Sequence, residues 1–496
     1  VLQRSRANSV TNAALDTLDI AILGAGLGGL GAAIRLRRAG INSLRIFERA
    51  PEVGGTWRDN TYPGCACDIP SHLYSFSFEP NAEWTRPYPR QAEIQAYILR
   101  VVEAYGLREC LQLGATVTAV RWLPTEALWL VEVDGTAVLK ARHVISATGP
   151  LNKPSVPAIE GRASFQGPQF HSSEWRHDVA LAGKKVAVVG TGASAIQLVP
   201  ELAKTASALH VFQRTPAWVV PRPDRPYGPT RKAIYRLLPA LQKLNRWRIY
   251  WRNEFFGLGF LGSTRMQGLA RWGASLHLRH QVRDLALRAR LLPAYAPGCK
   301  RMMVSSDYYP ALQKPGVALV TEAIARVEPH GIVTADGQLH PCDAIVWATG
   351  FTTTEFVTPM RVHGEQGVEL SALWQQGPAA THLGIHVAGF PNFHMLVGPS
   401  TGLGHNSIVF MIEAQLNTIV GAITHGRKVI RVKPAVQAAS YAEVQQRMQR
   451  TVWLSGCRSW YQSADGRIDT LWPGFTWQYW QRTRRFEANL YEISET

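Results

Sequence analysis

Twice along this chain a short apolar strand runs directly into a glycine-rich turn and then a helix. That repeat restricts the fold more than any other feature. Residues 19–23 (DIAIL) lead into Gly24-Ala25-Gly26-Leu27-Gly28-Gly29, a G-x-G-x-x-G spacing, followed by a helical run over 30–39 that Gly40 stops. Residues 185–189 (KVAVV) lead into Gly190-Thr191-Gly192-Ala193-Ser194-Ala195, a G-x-G-x-x-A spacing, and a helix over 196–204. Small residues let the backbone approach a pyrophosphate, and the helix N-terminus turns its free N–H groups and positive dipole end toward it.

The two units differ in the charge that closes them. In the first, a strand over 44–47 ends in Glu48, 24 residues after Gly24. In the second, a strand over 209–213 ends in Arg214, 24 residues after Gly190. A carboxylate there accepts free ribose hydroxyls, whereas a guanidinium suits a 2′-phosphate. The first unit is therefore expected to take FAD and the second NADPH. The fold class that follows is α/β, with two Rossmann-like dinucleotide-binding domains.

Length supports more than one core: 496 residues predict two or three domains. The strands at 143–149 (HVISATG) and 343–350 (DAIVWATG) end alike and mark places where the chain passes between domains. We expect a leader over 1–18 with no secretory h-region, then the first part of the FAD domain over 19–150. The NADPH domain follows over 151–385, with a helical insertion at about 222–300. The FAD domain resumes over 386–496, where Gly398-Pro399 precedes a helix from about Asn406 past Gln415 whose N-terminus could face the flavin.

The formal charge of +17 is concentrated in that insertion. Between Arg231 and Lys300 stand 14 Lys/Arg against Glu254 and Asp284, a net +12. Nucleic acid, a membrane surface and an anionic cofactor all attract such charge. Trp247, Tyr250, Trp251, Phe255, Phe256 and Phe260 interleave with the arginines in the manner of a basic amphipathic helix. A packed helical insertion with a solvated basic face is the plainer expectation; NADPH steering and weak membrane-surface contact are the alternatives, and no nucleic-acid partner is expected. No run of about 18 apolar residues predicts a transmembrane helix. Six scattered cysteines predict no disulfide framework, and the Cys65-x-Cys67 pair reads as two thiols in a turn of a reduced cytoplasmic protein, with no metal site expected.

FAD with NADPH leaves reductases and oxygenases open. Dithiol reductases of this architecture carry a redox cysteine just after a Gly-Gly-Thr turn; here Gly54-Gly55-Thr56 is followed by Trp57. Between the two units the chain reads Phe165-x-Gly167-x-x-x-His171-x-x-x-Trp175. This run resembles the fingerprint of the Baeyer–Villiger monooxygenases, class B flavoproteins of the flavin-containing monooxygenase superfamily. Gly55-Thr56-Trp57, Tyr62-Pro63-Gly64 and Asp68 fit a second signature of that family, and Gly298-Cys299-Lys300-Arg301 with Asp307-Tyr308-Tyr309 resembles a third. Arg176 departs from the fingerprint, where Pro or Asp is common at that position, and the stretches 398–415 and 457–461 resemble a branch between these enzymes and other flavin monooxygenases.

The resemblance implies an NADPH- and O₂-dependent insertion of one oxygen beside a ketone carbonyl, giving an ester or lactone. It implies that Arg301 is the catalytic cation and that Asp68 orients it. Arginine suits the task because it stays protonated at working pH. Implied FAD contacts are Gly24, Gly26, Gly29, Glu48, Thr56, Trp57, Asp68, Tyr74 and Val117. Implied NADPH contacts are Gly190, Thr191, Gly192, Ala193, Ser194, Arg214, Thr215 and Lys300, with Trp460 closing the nicotinamide side. His171 is expected to couple the two domains through hydrogen bonds. Oxygenation of sulfides or amines is the second reading, with less need of Arg301. A flavin-binding peripheral membrane protein without turnover is the reading from another class.

Overall fold

The computed structural model describes residues 15–463 and 465–495; most of the expected leader lies outside them. Strand β1 (Thr17–Leu23) begins two residues earlier than the sequence pattern suggested, so Thr17 and Leu18 belong to the sheet and not to a leader. Helix α1 (Leu27–Arg38) starts inside the glycine turn, with Gly26 as its N-cap. β2 (Leu44–Phe47), the one-turn α2 (Thr56–Asp59), α3 (Gln91–Ala104) and β3 (Leu111–Gln112) follow. A meander of β4 (Val117–Leu123), β5 (Leu128–Val133) and β6 (Thr136–Ser146) completes this stretch.

The fingerprint linker forms β7 (Gln169–His171). The second unit is β8 (Lys185–Val189), α4 (Ala193–Leu202) and β9 (Ala208–Phe212). Between β10 (Val219–Val220) and β11 (Met303–Val304) the chain makes four helices, α5 (Pro229–Leu237), α6 (Pro239–Phe260), α7 (Thr264–Gln281) and α8 (Leu285–Leu291). Then come α9 (Tyr308–Ala311), β12 (Val317–Val320), a three-stranded ladder of β13 (Ile324–Glu328), β14 (Gly331–Thr334) and β15 (Leu339–Pro341), and β16 (Ala344–Trp347). The remainder holds β17 (Arg361–His363), α10 (Leu370–Gln376), β18 (Phe393–Met395), α11 (Ile408–Ile423), β19 (Lys428–Val432), α12 (Pro434–Met448), α13 (Thr476–Thr483) and β20 (Tyr491–Glu495).

Two sheets organise these elements. The first runs β17-β4-β5-β6-β1-β2-β3, with β18 added on β6. Its β6, β1 and β2 are parallel, with Ile20 beside Leu44 and His143. Because β17 already pairs with β4, the chain has returned to the first sheet by Arg361, ahead of the expected boundary at 386. The second sheet, β12-β9-β8-β16-β7, is parallel throughout. Parallel strands covered on both faces should be apolar along their whole length, and Val186, Val188, Ile345 and Val346 are fully buried. One continuous core joins Ile22 and Leu30 of the first unit to Val188, Ile196 and Leu209 of the second and to Leu278 and Leu287 of the helical insertion. Among the described residues no helix is long and apolar enough to cross a membrane.

Candidate functional site

Both glycine turns are shaped for an anion. A Cβ on Gly29 would lie 1.9 Å from the Gly24 carbonyl oxygen, so α1 can sit this close to β1 only with glycine there. The middle glycines are different. A Cβ on Gly26 would face only the Gly55 Cα, at 3.9 Å, and one on Gly192 would meet nothing within 4 Å. Neither α1 nor α4 has a side-chain cap or an acidic residue in its first turn. Both N-termini therefore present unsatisfied N–H groups and a positive dipole end to open space, which suits a pyrophosphate.

At the end of β2, Glu48 is buried. One carboxylate oxygen accepts the Ala25 N–H at 3.0 Å; the other accepts the Ala50 N–H at 3.0 Å and pairs with Arg58 Nη1 at 3.0 Å. A carboxylate has about four acceptor positions, so one remains for a ribose hydroxyl. The Gly54 N–H donates to the Ala25 carbonyl (3.0 Å), which fastens the turn before Thr56 and Trp57 to the fingerprint loop. Trp57 Nε1 donates to the Tyr74 hydroxyl (3.0 Å), the rings edge-to-face at 5.6 Å. Val117 opens β4 two residues after Ala115, whose N–H donates to the Glu48 carbonyl (2.9 Å).

The second unit ends differently. Arg214 is exposed, and its charge together with burial depresses the Lys300 ammonium pKa, burial being the larger cause. Lys300 Nζ lies 5.0 Å from the Tyr295 ring centroid, and Tyr295 is tied back by its hydroxyl to the Pro216 carbonyl (3.0 Å). Thr191 Oγ1 donates to the Thr215 carbonyl (3.1 Å), joining the glycine turn to the Arg214 loop. Ala193 and Ser194 open α4. Two cations thus converge beside this helix N-terminus, separated in sequence but brought together by the fold.

Between the units stands the Arg301–Asp68 pair. Arg301 Nε and Nη2 both donate to Asp68 Oδ2, at 3.0 and 2.7 Å, and Nη1 reaches toward the Leu403 carbonyl at 3.5 Å. Each side chain keeps about a quarter of its surface exposed (25% and 26%), so the pair borders a reachable space. The Asp68 carboxylate holds the guanidinium pKa above its ordinary value. Tyr461, buried, sits against it. Asp68 owes its place to Gly64, which has φ +82° and has Gln197 O of α4 only 2.4 Å from where a Cβ would stand. Gln197 accepts from the Tyr62 hydroxyl (3.0 Å) and donates to the Ala66 carbonyl (3.0 Å), seating the whole 62–68 loop on the second unit.

Cys299, two residues from Arg301, forms a disulfide with Cys457, four residues from Tyr461. The cysteines were expected to form no disulfide framework, and this one bridge is an addition to that reading. Cys65, Cys67, Cys110 and Cys342 remain free and buried; burial pushes the Cys65 thiol up to about 11 and Cys67 well above its ordinary value, so neither is a nucleophile at neutral pH. Trp460 is 46% exposed, its ring 4.3 Å from that of Tyr461 and its carbonyl accepting from Thr353 Oγ1 (2.9 Å).

A family model described as pyridine nucleotide-disulphide oxidoreductase matches residues 21–234. A Baeyer-Villiger monooxygenase of Streptomyces coelicolor is 45% identical over 481 residues, covering 96% of this chain and 92% of that one. The chain belongs to the Baeyer–Villiger monooxygenase family. A second Baeyer-Villiger monooxygenase, of Pseudomonas aeruginosa, is 43% identical, with 98% of this chain and 93% of that one covered. Among solved structures, OTEMO in complex with FAD and NADP superposes with a TM-score of 0.86 at 28% identity, covering 96% of this chain and 99% of that one.

Within this Baeyer–Villiger chain the fingerprint residues build the second sheet's edge. Phe165 packs with Val189, Ile332 and Trp347. A Cβ on Gly167 would stand 2.2 Å from the Asp343 carbonyl oxygen. His171 pairs with Trp347 across β7 and β16; its Nδ1 meets Ser173 Oγ at 2.7 Å and its ring stands edge-on to Phe351. Trp175 stacks edge-on to Phe170 at 5.1 Å. Sequence reasoning missed Arg58, Leu403 and Tyr461. Arg58 follows the Thr56-Trp57 pair and Tyr461 follows Trp460, so adjacency to the motifs was the only signal for those two.

Proposed function

We propose that this chain is an FAD-containing, NADPH-dependent monooxygenase that oxidises a small-molecule ketone with O₂ to an ester or lactone. The observation that carries the reading is the forked Arg301–Asp68 pair between two dinucleotide cradles of opposite end charge. When bound, FAD and NADPH supply hydride transfer and oxygen activation; this chain supplies position, charge and shelter from water. Glu48 holds the FAD ribose, Gly24, Gly26 and Gly29 admit its pyrophosphate, and Thr56, Trp57, Tyr74 and Val117 line its path. Arg214, Lys300 and Thr215 take the NADPH 2′-phosphate, while Gly190, Thr191, Gly192, Ala193 and Ser194 take its pyrophosphate.

Arg301 acts as a fixed cation. Its Nε and one Nη2 N–H are spent on Asp68 and one Nη1 N–H points to the Leu403 carbonyl, which leaves one N–H on each terminal nitrogen for an oxygen that gains negative charge as the ketone carbonyl is attacked. Asp68 stops the guanidinium from rotating. Trp460, beside Tyr461, covers the nicotinamide side. His171 holds the edge of the second sheet, with its ring against Phe351 just beyond β16. Dependence on NADPH supports a cytoplasmic location, although a reducing compartment does not favour the Cys299–Cys457 bridge.

The test is aerobic turnover of the yellow protein with NADPH on cyclic, linear and aryl ketones and one sulfide, with products read by mass spectrometry. Esters or lactones heavier by one oxygen are expected, and Arg301→Ala should lower their formation by about 10²–10³-fold. Sulfoxide as the sole product, or an Arg301→Ala variant with full ketone turnover, would overturn the reading.

A further inference from the structure

Helix α6 carries large apolar side chains on both of its faces. The face it buries mixes Ile249, Tyr250 and Phe260 with Gln242, Asn245, Asn253 and Glu254. The face it shows to solvent carries Leu241, Leu244, Trp247, Trp251, Phe255 and Phe256, each between 42% and 65% exposed. A surface helix ordinarily turns its apolar stripe to the core and its polar face to water. On the neighbouring α7, Leu269, Trp272 and Leu276, at helical spacing, are also more than half exposed. At the corner before α6, Leu237 and Leu238 are exposed as well. Single exposed apolar side chains need no explanation, but a patch of this extent on one pair of packed helices marks an interaction surface.

This orientation is held in place. Glu254 accepts the Thr476 N–H at 3.1 Å and hydrogen bonds from Thr476 Oγ1 and Asn406 Nδ2. Gln242 Nε2 donates to the Asn81 carbonyl (2.7 Å). Arg246 Nη1 donates to the carbonyls of His72, Leu73 and Ser75 at 2.9–3.2 Å. Rolling α6 to hide its tryptophans would strand these buried polar groups, each costly to leave unpaired. The apolar face therefore stays outward.

Charge identifies the partner. Lys243, Arg248 and Arg252 stand among the exposed aromatics, with Arg265 and Arg271 on α7. Arg248 and Arg252 bond only the side-chain amides of Asn245 and Asn253 in the same helix. Of the two acids between Arg231 and Lys300, Glu254 is buried and Asp284 caps α8 through the Ala286 and Leu287 N–H groups. The face is thus apolar, aromatic and cationic without a counter-charge. A second copy of the chain would bring two cationic rims together. We propose that the outer faces of α6 and α7 dock on the headgroup–acyl boundary of an anionic phospholipid bilayer, lying in its plane.

The experiment is vesicle co-sedimentation of the full-length, FAD-loaded protein, with sedimentation velocity run alongside. Vesicles of phosphatidylcholine alone are compared with vesicles containing about one-third phosphatidylglycerol. The anionic vesicles should bind at least about tenfold more tightly, and added salt should remove most of that difference. W247S/W251S/F255S and R248E/R252E should each weaken binding by about tenfold or more, with FAD content and NADPH oxidation in vesicle-free buffer unchanged. The lipid comparison on the unaltered protein needs no variant, so a folding failure of the triple substitution leaves a decisive result. Equal affinity for both vesicle types, or no binding to either, overturns the proposal. A dimer that the triple variant dissolves would assign the face to a second copy instead.

Discussion

At the end of its second strand the first dinucleotide unit places a buried carboxylate, clamped by the Ala25 and Ala50 N–H groups and by Arg58. At the same point the second places an exposed guanidinium with Lys300 drawn in beside it. The backbones are alike: parallel strand, uncapped glycine turn, helix, parallel strand. Two lessons follow from the difference. The turn and helix are common to both units and suit either dinucleotide, so what distinguishes them is the sign of the charge at the strand end. The first site is also walled by its own fold on three sides of Glu48, whereas the second is assembled from an exposed residue and a distant lysine. The charged group that closes the first unit is thus buried, and the one that closes the second is open to solvent.

The comparison can be broken most severely at Gly29, the last motif glycine of the first turn. Gly29→Ala would force a Cβ to within 1.9 Å of the Gly24 oxygen; we expect colourless protein with under about a tenth of the normal FAD absorbance, because α1 must shift away from the pyrophosphate. Full FAD content in that variant would show that α1 has room to move. Next in size, Arg214→Ala should raise the KM for NADPH about tenfold or more and leave FAD content untouched. Loss of FAD in its place would mean that the two sites are assigned the wrong way round.

A smaller effect sharpens the role of Lys300. Its pKa is lowered in the free protein by burial and by Arg214, so its charge is present below that pKa and lost as pH rises through it. Affinity for NADPH should therefore fall at a pH below the ordinary lysine range, read as KM across alkaline pH, and Lys300→Arg should flatten that rise because arginine keeps its proton. The smallest effect lies at Ala195, the second unit's counterpart of Gly29. Ala195→Gly should cost about 1 kcal/mol of stability through helix propensity, seen as a small drop in melting temperature, with KM for NADPH unchanged. A large rise in KM would show that this Cβ shapes the cradle.

Legibility in the sequence followed how far apart the cooperating residues lie. The strands at 44–47 and 185–189 were placed to the residue, because short apolar runs (LRIF, broken only by Arg45, and VAVV after Lys185) leave little choice. The helices α1 and α4 begin earlier than the pattern indicated, since the glycine turn is itself the first helical turn. Early pairing of β17 with the first sheet was hidden, because a three-residue strand has too little periodicity to show which sheet it joins. The insertion was recognisable as helical and basic, yet the orientation of α6 was not. Interleaved aromatics and arginines read as an ordinary solvated face until Glu254 and the buried amides are seen to be the inner ones. The Cys299–Cys457 bridge joins residues 158 apart, and no spacing rule reaches that far.

Sequence by itself determined everything whose cause is local: two Rossmann units, their order, the charge that ends each, and the turn with Trp57 where a redox cysteine would stand. These depend on strand and helix periodicity and on glycines within some 30 residues, which covalent continuity holds in register. Only the tertiary structure decided that Arg301 meets Asp68 across 233 positions, that Gln197 of the second unit seats the loop bearing Asp68, and that α6 faces outward with its tryptophans. Such contacts are chosen by packing and by the need to pair every buried polar group, and those demands exist only once the whole chain has folded.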